Sequence, residues 1–290
     1  MRRLSKPPLT QASVFAACGQ GVNDVGLKMR CEAIAPQLIE QELIYEQLAS
    51  RGQLQQWVAH PRGNDTALTI GHVTRGDLKG LYVNQMARAG KPARIFYDQL
   101  RVSAPNNICP YCGIGAVETI DHFLPKGRYS SLSVLPSNLV PACRDCNTGK
   151  LDGVLTDARV FSHPYFEETC VFSEEWLFAS ILPSQVIHAV YRVVTPGTWS
   201  AETSQRVVGH FAEFDLFRRF SIQAAERLSY YANLIDGMVR EGAGDDVQRI
   251  LVFTIQSELA AYGVNSWQVA LSKAVAHDVW FCTVGYTQLL

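Results

Sequence analysis

Residues 109–150 read CPYCGIGAVETIDHFLPKGRYSSLSVLPSNLVPACRDCNTGK, and this stretch decides how the rest of the chain is understood. It contains two C-x-x-C pairs, Cys109/Cys112 and Cys143/Cys146, with 30 residues between Cys112 and Cys143. In a reducing compartment such pairs point to metal rather than to disulfides. Each pair can form a knuckle that presents two thiolates, and four thiolates satisfy tetrahedral Zn²⁺ with no position left open for a substrate. The zinc is therefore expected to be structural. Its binding would contribute on the order of 10 kcal/mol to local folding. The loop between the pairs has few large apolar residues to hold itself together.

Asp121, His122, Asn138 and Asn147 lie between and just after the knuckles, and a zinc ribbon needs none of them. Asp121-His122 follows a short β-like run, Val117–Ile120, and Pro125 is a natural terminator of that strand. On a continuing strand the two side chains would point to opposite faces. Asn147 follows the last cysteine at the start of an expected short helix, Arg144–Leu151. A carboxylate and an amide oxygen form a hard oxygen pair suited to Mg²⁺ or Mn²⁺. Histidine, with an unperturbed pKa near about 6.5, can take a proton from water at neutral pH. Together these groups meet the needs of phosphodiester hydrolysis.

The order C-x-x-C, Asp-His-x-x-Pro, Asn, C-x-x-C-Asn resembles the HNH endonuclease family of ββα-metal nucleases, in the variant whose third signature residue is Asn. The resemblance covers about 45 of the 290 residues. It implies that His122 is the general base and that Asp121 and Asn147 hold one catalytic divalent cation. It implies that Asn138 secures the loop between the two strands by backbone hydrogen bonds. It also implies cleavage that leaves a 5′-phosphate and a 3′-hydroxyl. The stretches IDHFLPK, NLVPACRDCN and SHPYF are similar to bacterial HNH proteins, some acting in antiviral defence against phage or beside an ATPase subunit.

Outward from this segment the chain reads as helical. Expected on the N-terminal side are a helix over Leu27–Ser50 begun or kinked by Pro36, a loop over His60–Gly76, and a helix from Asp77 to about Arg88. Another, opened by Pro92, ends near Val102. On the C-terminal side VFSEEWLFASIL and QVIHAVYRVV, residues 171–182 and 185–194, read as strands. Helices follow over about 201–220, 221–240, 245–262 and 267–280. The reading is an α+β protein of three parts. Residues 1–104 form a mainly helical N-terminal region, 105–165 the HNH module, and 166–290 a mixed, mainly helical C-terminal region.

Composition is consistent with this. Hydrophobic residues make up 47% and charged residues 18%, enough for a buried core and too few charges for a disordered chain. No apolar run approaches the roughly 18–20 residues that cross a bilayer, and MRRLSKPPLT lacks the apolar segment of a signal peptide. The protein is expected to be cytoplasmic, with no membrane partner. The net charge of −1 is uneven: residues 88–159 carry nine Lys and Arg against six Asp and Glu, whereas 160–290 carry eight against fourteen. A local DNA footprint with weak general affinity follows, and with it the expectation of a protein partner such as an ATPase or sensor.

Lys126 and Lys150 are the cations expected to meet DNA phosphates, ahead of Arg128 and Arg144. His163 reads as a loop-corner residue or an additional ligand. Cys18, Cys31, Cys170 and Cys282 read as buried thiols, and His188 and His210 as structural. A non-catalytic zinc ribbon that recruits a partner to DNA is the competing reading. It leaves the Asp, His and Asn residues unexplained.

Overall fold

The computed structural model describes residues 1–290 apart from 151, 185, 245 and 246. Leu151 at the end of the expected 144–151 helix, Gln185 at the start of the second expected strand, and the first two residues of the expected 245–262 helix lie outside the described residues. The architecture is α+β, and the chain divides into two compact units, 1–167 and 168–290.

In the first unit, α1 (Gln11–Gln20) and α2 (Val25–Ser50) run side by side. Thr10 and Asp24 cap them, each accepting a hydrogen bond from the backbone N–H three residues on. Pro36 lies within α2 and does not end it. The buried face of α2 repeats at helical spacing through Cys31, Ile34, Leu38, Tyr45 and Ala49. The segment expected to be a loop contains a small hairpin, β1 (Leu68–Ile70) and β2 (Val73–Thr74), turned at Gly71. Thr74 and Asp77 then form a capping box at the start of α3 (Arg75–Gly80), two residues before the expected start. The chain continues as a π-helical turn, Leu81–Met86, and then α4 (Arg94–Arg101).

The central segment is a ββα unit. β3 (Thr119–His122) pairs antiparallel with β4 (Leu139–Ala142), with Thr119 opposite Ala142 and His122 opposite Leu139, and α5 (Arg144–Lys150) follows. The strand lies two residues later than Val117–Ile120, because pairing with β4 fixes its position. Ile120, Val134 and Leu139 join one hydrophobic core with Val14, Cys31 and Leu81 of the N-terminal helices. Burial of this shared core stabilises the ββα unit alongside any metal.

The second unit contains α6 (Thr169–Ser173), a hairpin of β5 (Leu177–Leu182) and β6 (His188–Val193), and helices α7 (Ala201–Glu213), α8 (Leu216–Arg240), α9 (Val247–Tyr262), α10 (Trp267–His277) and α11 (Val279–Thr283). The start of the first expected strand is thus helix α6. The expected break at 220/221 falls at Asp215, whose φ of 50° ends α7 and begins α8. Asn265 Oδ1 accepts from the backbone N–H groups of Trp176 and Leu177 and ties the hairpin to the start of α10. Among the described residues, no helix is long and apolar enough to cross a membrane.

Cys18 and Cys31 are buried as expected, whereas Cys170 and Cys282 are half-buried. His210 is buried with its ring 4.8 Å from that of Phe214, in keeping with a structural role.

Candidate active site

The four cysteines converge. Their sulfurs all lie within 4.8 Å of one another and all four residues are buried. Zn–S bonds of about 2.3 Å in a tetrahedron require sulfurs about 3.8 Å apart, and Cys112 Sγ lies 3.8 Å from Cys143 Sγ. The residues therefore fit zinc. Two glycines make the first knuckle possible. Gly113 turns the chain at φ 67°, and a Cβ on Gly115 would stand 2.8 Å from Cys143 Cβ and 3.0 Å from its sulfur. Residues at the N-terminus lie along the knuckle, with Arg2 N donating to Pro110 O at 2.8 Å.

Asp121 and His122, consecutive on β3, find different partners. The Asp121 carboxylate is buried and receives Tyr111 Oη at 2.9 Å and Lys150 Nζ at 2.9 Å. Burial pushes its pKa up, against the pull of the Lys150 ammonium and the Tyr111 hydroxyl. Thr119 shares the Asp121 face of β3, since side chains alternate. Asn147 Nδ2 donates to Thr119 Oγ1 at 3.1 Å, so α5 lays Asn147 and Lys150 across that face.

The His122 imidazole is buried on the other face. Its Nε2 lies 2.9 Å from Ser133 O, a carbonyl that can only accept, so Nε2 carries the proton and Nδ1 keeps its lone pair. Burial first, then the charge of Lys126, holds the His122 pKa well below the usual value, so the ring is neutral at pH 7. The Tyr82 ring meets it edge-on with centroids 4.4 Å apart, and Lys126 Nζ lies 5.5 Å from the centre of that same Tyr82 ring.

Asn138, fully buried, fastens the loop between the strands. Its Oδ1 accepts from Leu124 N at 2.8 Å, and its Nδ2 donates to Leu124 O at 3.0 Å and Leu132 O at 3.3 Å. A relay from outside the segment reaches it. His163 Nδ1 accepts from Tyr165 N, which leaves its Nε2 proton facing Tyr45 Oη at 3.2 Å, and Tyr45 Oη donates to Asn138 Oδ1 at 3.0 Å.

The HNH endonuclease family profile matches residues 109–153. Over 233 residues the chain is 34% identical to protein ea31 of Escherichia phage lambda, an alignment covering 79% of this chain and 78% of that protein. The chain belongs to the ea31 family and carries an HNH endonuclease domain. No solved structure matches it.

One cation of the HNH domain does not sit as expected. Lys150, expected to meet phosphate, is only 1% exposed at its side chain, and its ammonium faces Asp121 and the carbonyls of His122 and Phe123. Three acceptors meet its three donors, because the last turn of α5 faces inward. Arg144 is exposed and ion-paired with Glu118 at 2.7 Å. Lys126 is half-buried beside the Asp-His pair, and Arg128 Nε donates to His60 O. His163 is sealed inside, its ring 4.1 Å from Phe123. Tyr45, Tyr82 and Tyr111 join the site without having been anticipated from sequence. Tyr111 lies inside the first C-x-x-C, and Tyr45 follows Cys31 and Leu38 at seven-residue intervals, so both carried a local signal. Tyr82 carried none.

Proposed function

We propose that the HNH domain hydrolyses DNA phosphodiester bonds in a metal-dependent reaction, with His122 as general base. The observation that carries this reading is the His122 imidazole, neutral, with Nε2 committed to Ser133 O and Nδ1 left to accept a proton from water. Asp121 and Asn147, whose helix crosses the Asp121 face of β3, would hold one divalent cation, Mg²⁺ or Mn²⁺. When bound, that ion supplies charge neutralisation at the scissile phosphate and the leaving oxygen. Tyr111 orients the Asp121 carboxylate, Asn138 fixes the loop that follows His122, and Lys126 offers its ammonium to the phosphate. Zinc holds the two knuckles and takes no part in the reaction.

The negative balance of residues 160–290 supports weak general attraction for DNA, so delivery by a protein partner is part of the proposal. Plasmid nicking with added Mg²⁺ or Mn²⁺ tests it. The full chain is expected to nick, and His122→Ala is expected to lose all activity while keeping its zinc and its melting temperature. Activity of His122→Ala equal to that of the parent removes the assignment.

A further inference from the structure

Tyr82 lies outside the 109–153 segment that matches the HNH family, yet its ring is shared by two of the groups assigned to the chemistry. It meets the His122 imidazole edge-on, with planes at 73° and centroids 4.4 Å apart. It carries the Lys126 ammonium 5.5 Å from its centre, within the range of a cation–π contact. Its hydroxyl reaches Ile120 O on β3 at 3.4 Å, and the Tyr97 ring stands behind it at 6.4 Å.

The backbone beneath it is unusual. Tyr82 lies in the π-helical turn Leu81–Met86, and Ala87 N donates to Tyr82 O across five residues at 2.8 Å. Such a turn holds one residue more than an α-helical turn and costs hydrogen-bond geometry, so it persists where the redirected side chains are needed. Here it turns the adjacent Leu81 and Tyr82 both inward, Leu81 to the core and Tyr82 against His122.

Resting on the nuclease reading above, we infer that Tyr82 is a positioning residue of the active site: its ring, aimed by the π turn, holds the His122 imidazole and the Lys126 ammonium at a fixed separation. Most of this effect belongs to the ring. The hydroxyl contact is long, and an aromatic ring makes the imidazole and ammonium contacts without it.

The test uses the full zinc-loaded chain, with Tyr82→Phe and Tyr82→Leu beside His122→Ala. Tyr82→Phe should nick plasmid within about twofold of the parent, since a long neutral hydrogen bond contributes little. Tyr82→Leu should lower kcat about 10- to 100-fold, a share of the about 10²–10⁴-fold that a placed general base supplies. Zinc content should not change in either. A second readout needs no activity. The long-range ¹H–¹⁵N spectrum of the His122 ring at pH 7.5 should show the Nε2-protonated tautomer in the parent and Tyr82→Phe, and broadened or mixed signals in Tyr82→Leu. If the parent nicks, His122→Ala does not, and Tyr82→Leu matches the parent, the positioning role is overturned while the nuclease reading stands. If the parent does not nick, the nuclease reading fails, and an unchanged His122 spectrum in Tyr82→Leu removes the positioning role as well.

Discussion

Lys150 Nζ and Asp121 Oδ2 face each other at 2.9 Å, with both side chains sealed from solvent. An ion pair this deep is costly to form and more costly to break on one side, because the remaining charge stays buried alone. Removing only the ammonium, in Lys150→Met, should lower stability by about 3–5 kcal/mol. Adding Asp121→Asn should recover much of that loss. Urea denaturation of the two single variants and the double variant gives the coupling, and strict additivity within about 0.5 kcal/mol would show that the two groups do not support each other. Since Asp121 is the proposed cation ligand, millimolar Mn²⁺ should raise the melting temperature of Lys150→Met more than that of the parent.

The zinc site makes a separate demand on Gly115. A methyl group there would press on Cys143 Cβ at 2.8 Å and on its sulfur at 3.0 Å, and the sulfur cannot give way without leaving the four-cysteine cluster. Gly115→Ala should therefore release zinc to a colorimetric chelator faster than the parent. Gly149→Ala, on α5 with nothing within 4 Å of the new Cβ, is the matched control. It should retain zinc and gain about 0.5–1 kcal/mol of helix stability. Equal zinc retention by both variants would remove the steric argument.

His163 sets a pH dependence. Burial, reinforced by Lys150, lowers its pKa to about 3 in the folded chain, against about 6.5 when unfolded. Between those values the unfolded chain binds the extra proton, so stability falls as pH drops below about 6.5. One such group should make the first unit about 1 kcal/mol less stable at pH 5.5 than at pH 7.5. His122, depressed for the same reason, acts in the same direction. Urea denaturation at the two pH values, with zinc in excess, should show a shallower pH slope for His163→Phe. A slope equal to that of the parent would place the titration elsewhere.

What could be read from sequence, and what could not, follows from the range of the interactions. The four-cysteine cluster was legible because metal-binding chemistry requires close spacing along the chain. The position of β3 was not, since it depends on which residues of β4 it pairs with. The inward position of Lys150 departs from expectation for a related reason. A cation three residues beyond a helix-borne Asn suggests a surface contact, and only the packing of α5 against β3 turns it inward. Tyr45 was out of reach of any local pattern for its role, for it meets Asn138 from 93 positions away.

That last contact bears on how far the HNH segment can be moved. The recognisable motif spans a small part of the chain, yet the amide that closes its central loop takes one of its bonds from a helix near the start of the sequence, and that same phenol is steadied by a histidine lying beyond the motif. A graft of residues 105–165 into another host would carry every signature residue and arrive without one of the four hydrogen bonds of the Asn138 side chain. The smallest portable piece that keeps both contacts is therefore the whole compact unit of residues 1–167, and a graft of the motif alone would leave behind the helix that helps hold its loop.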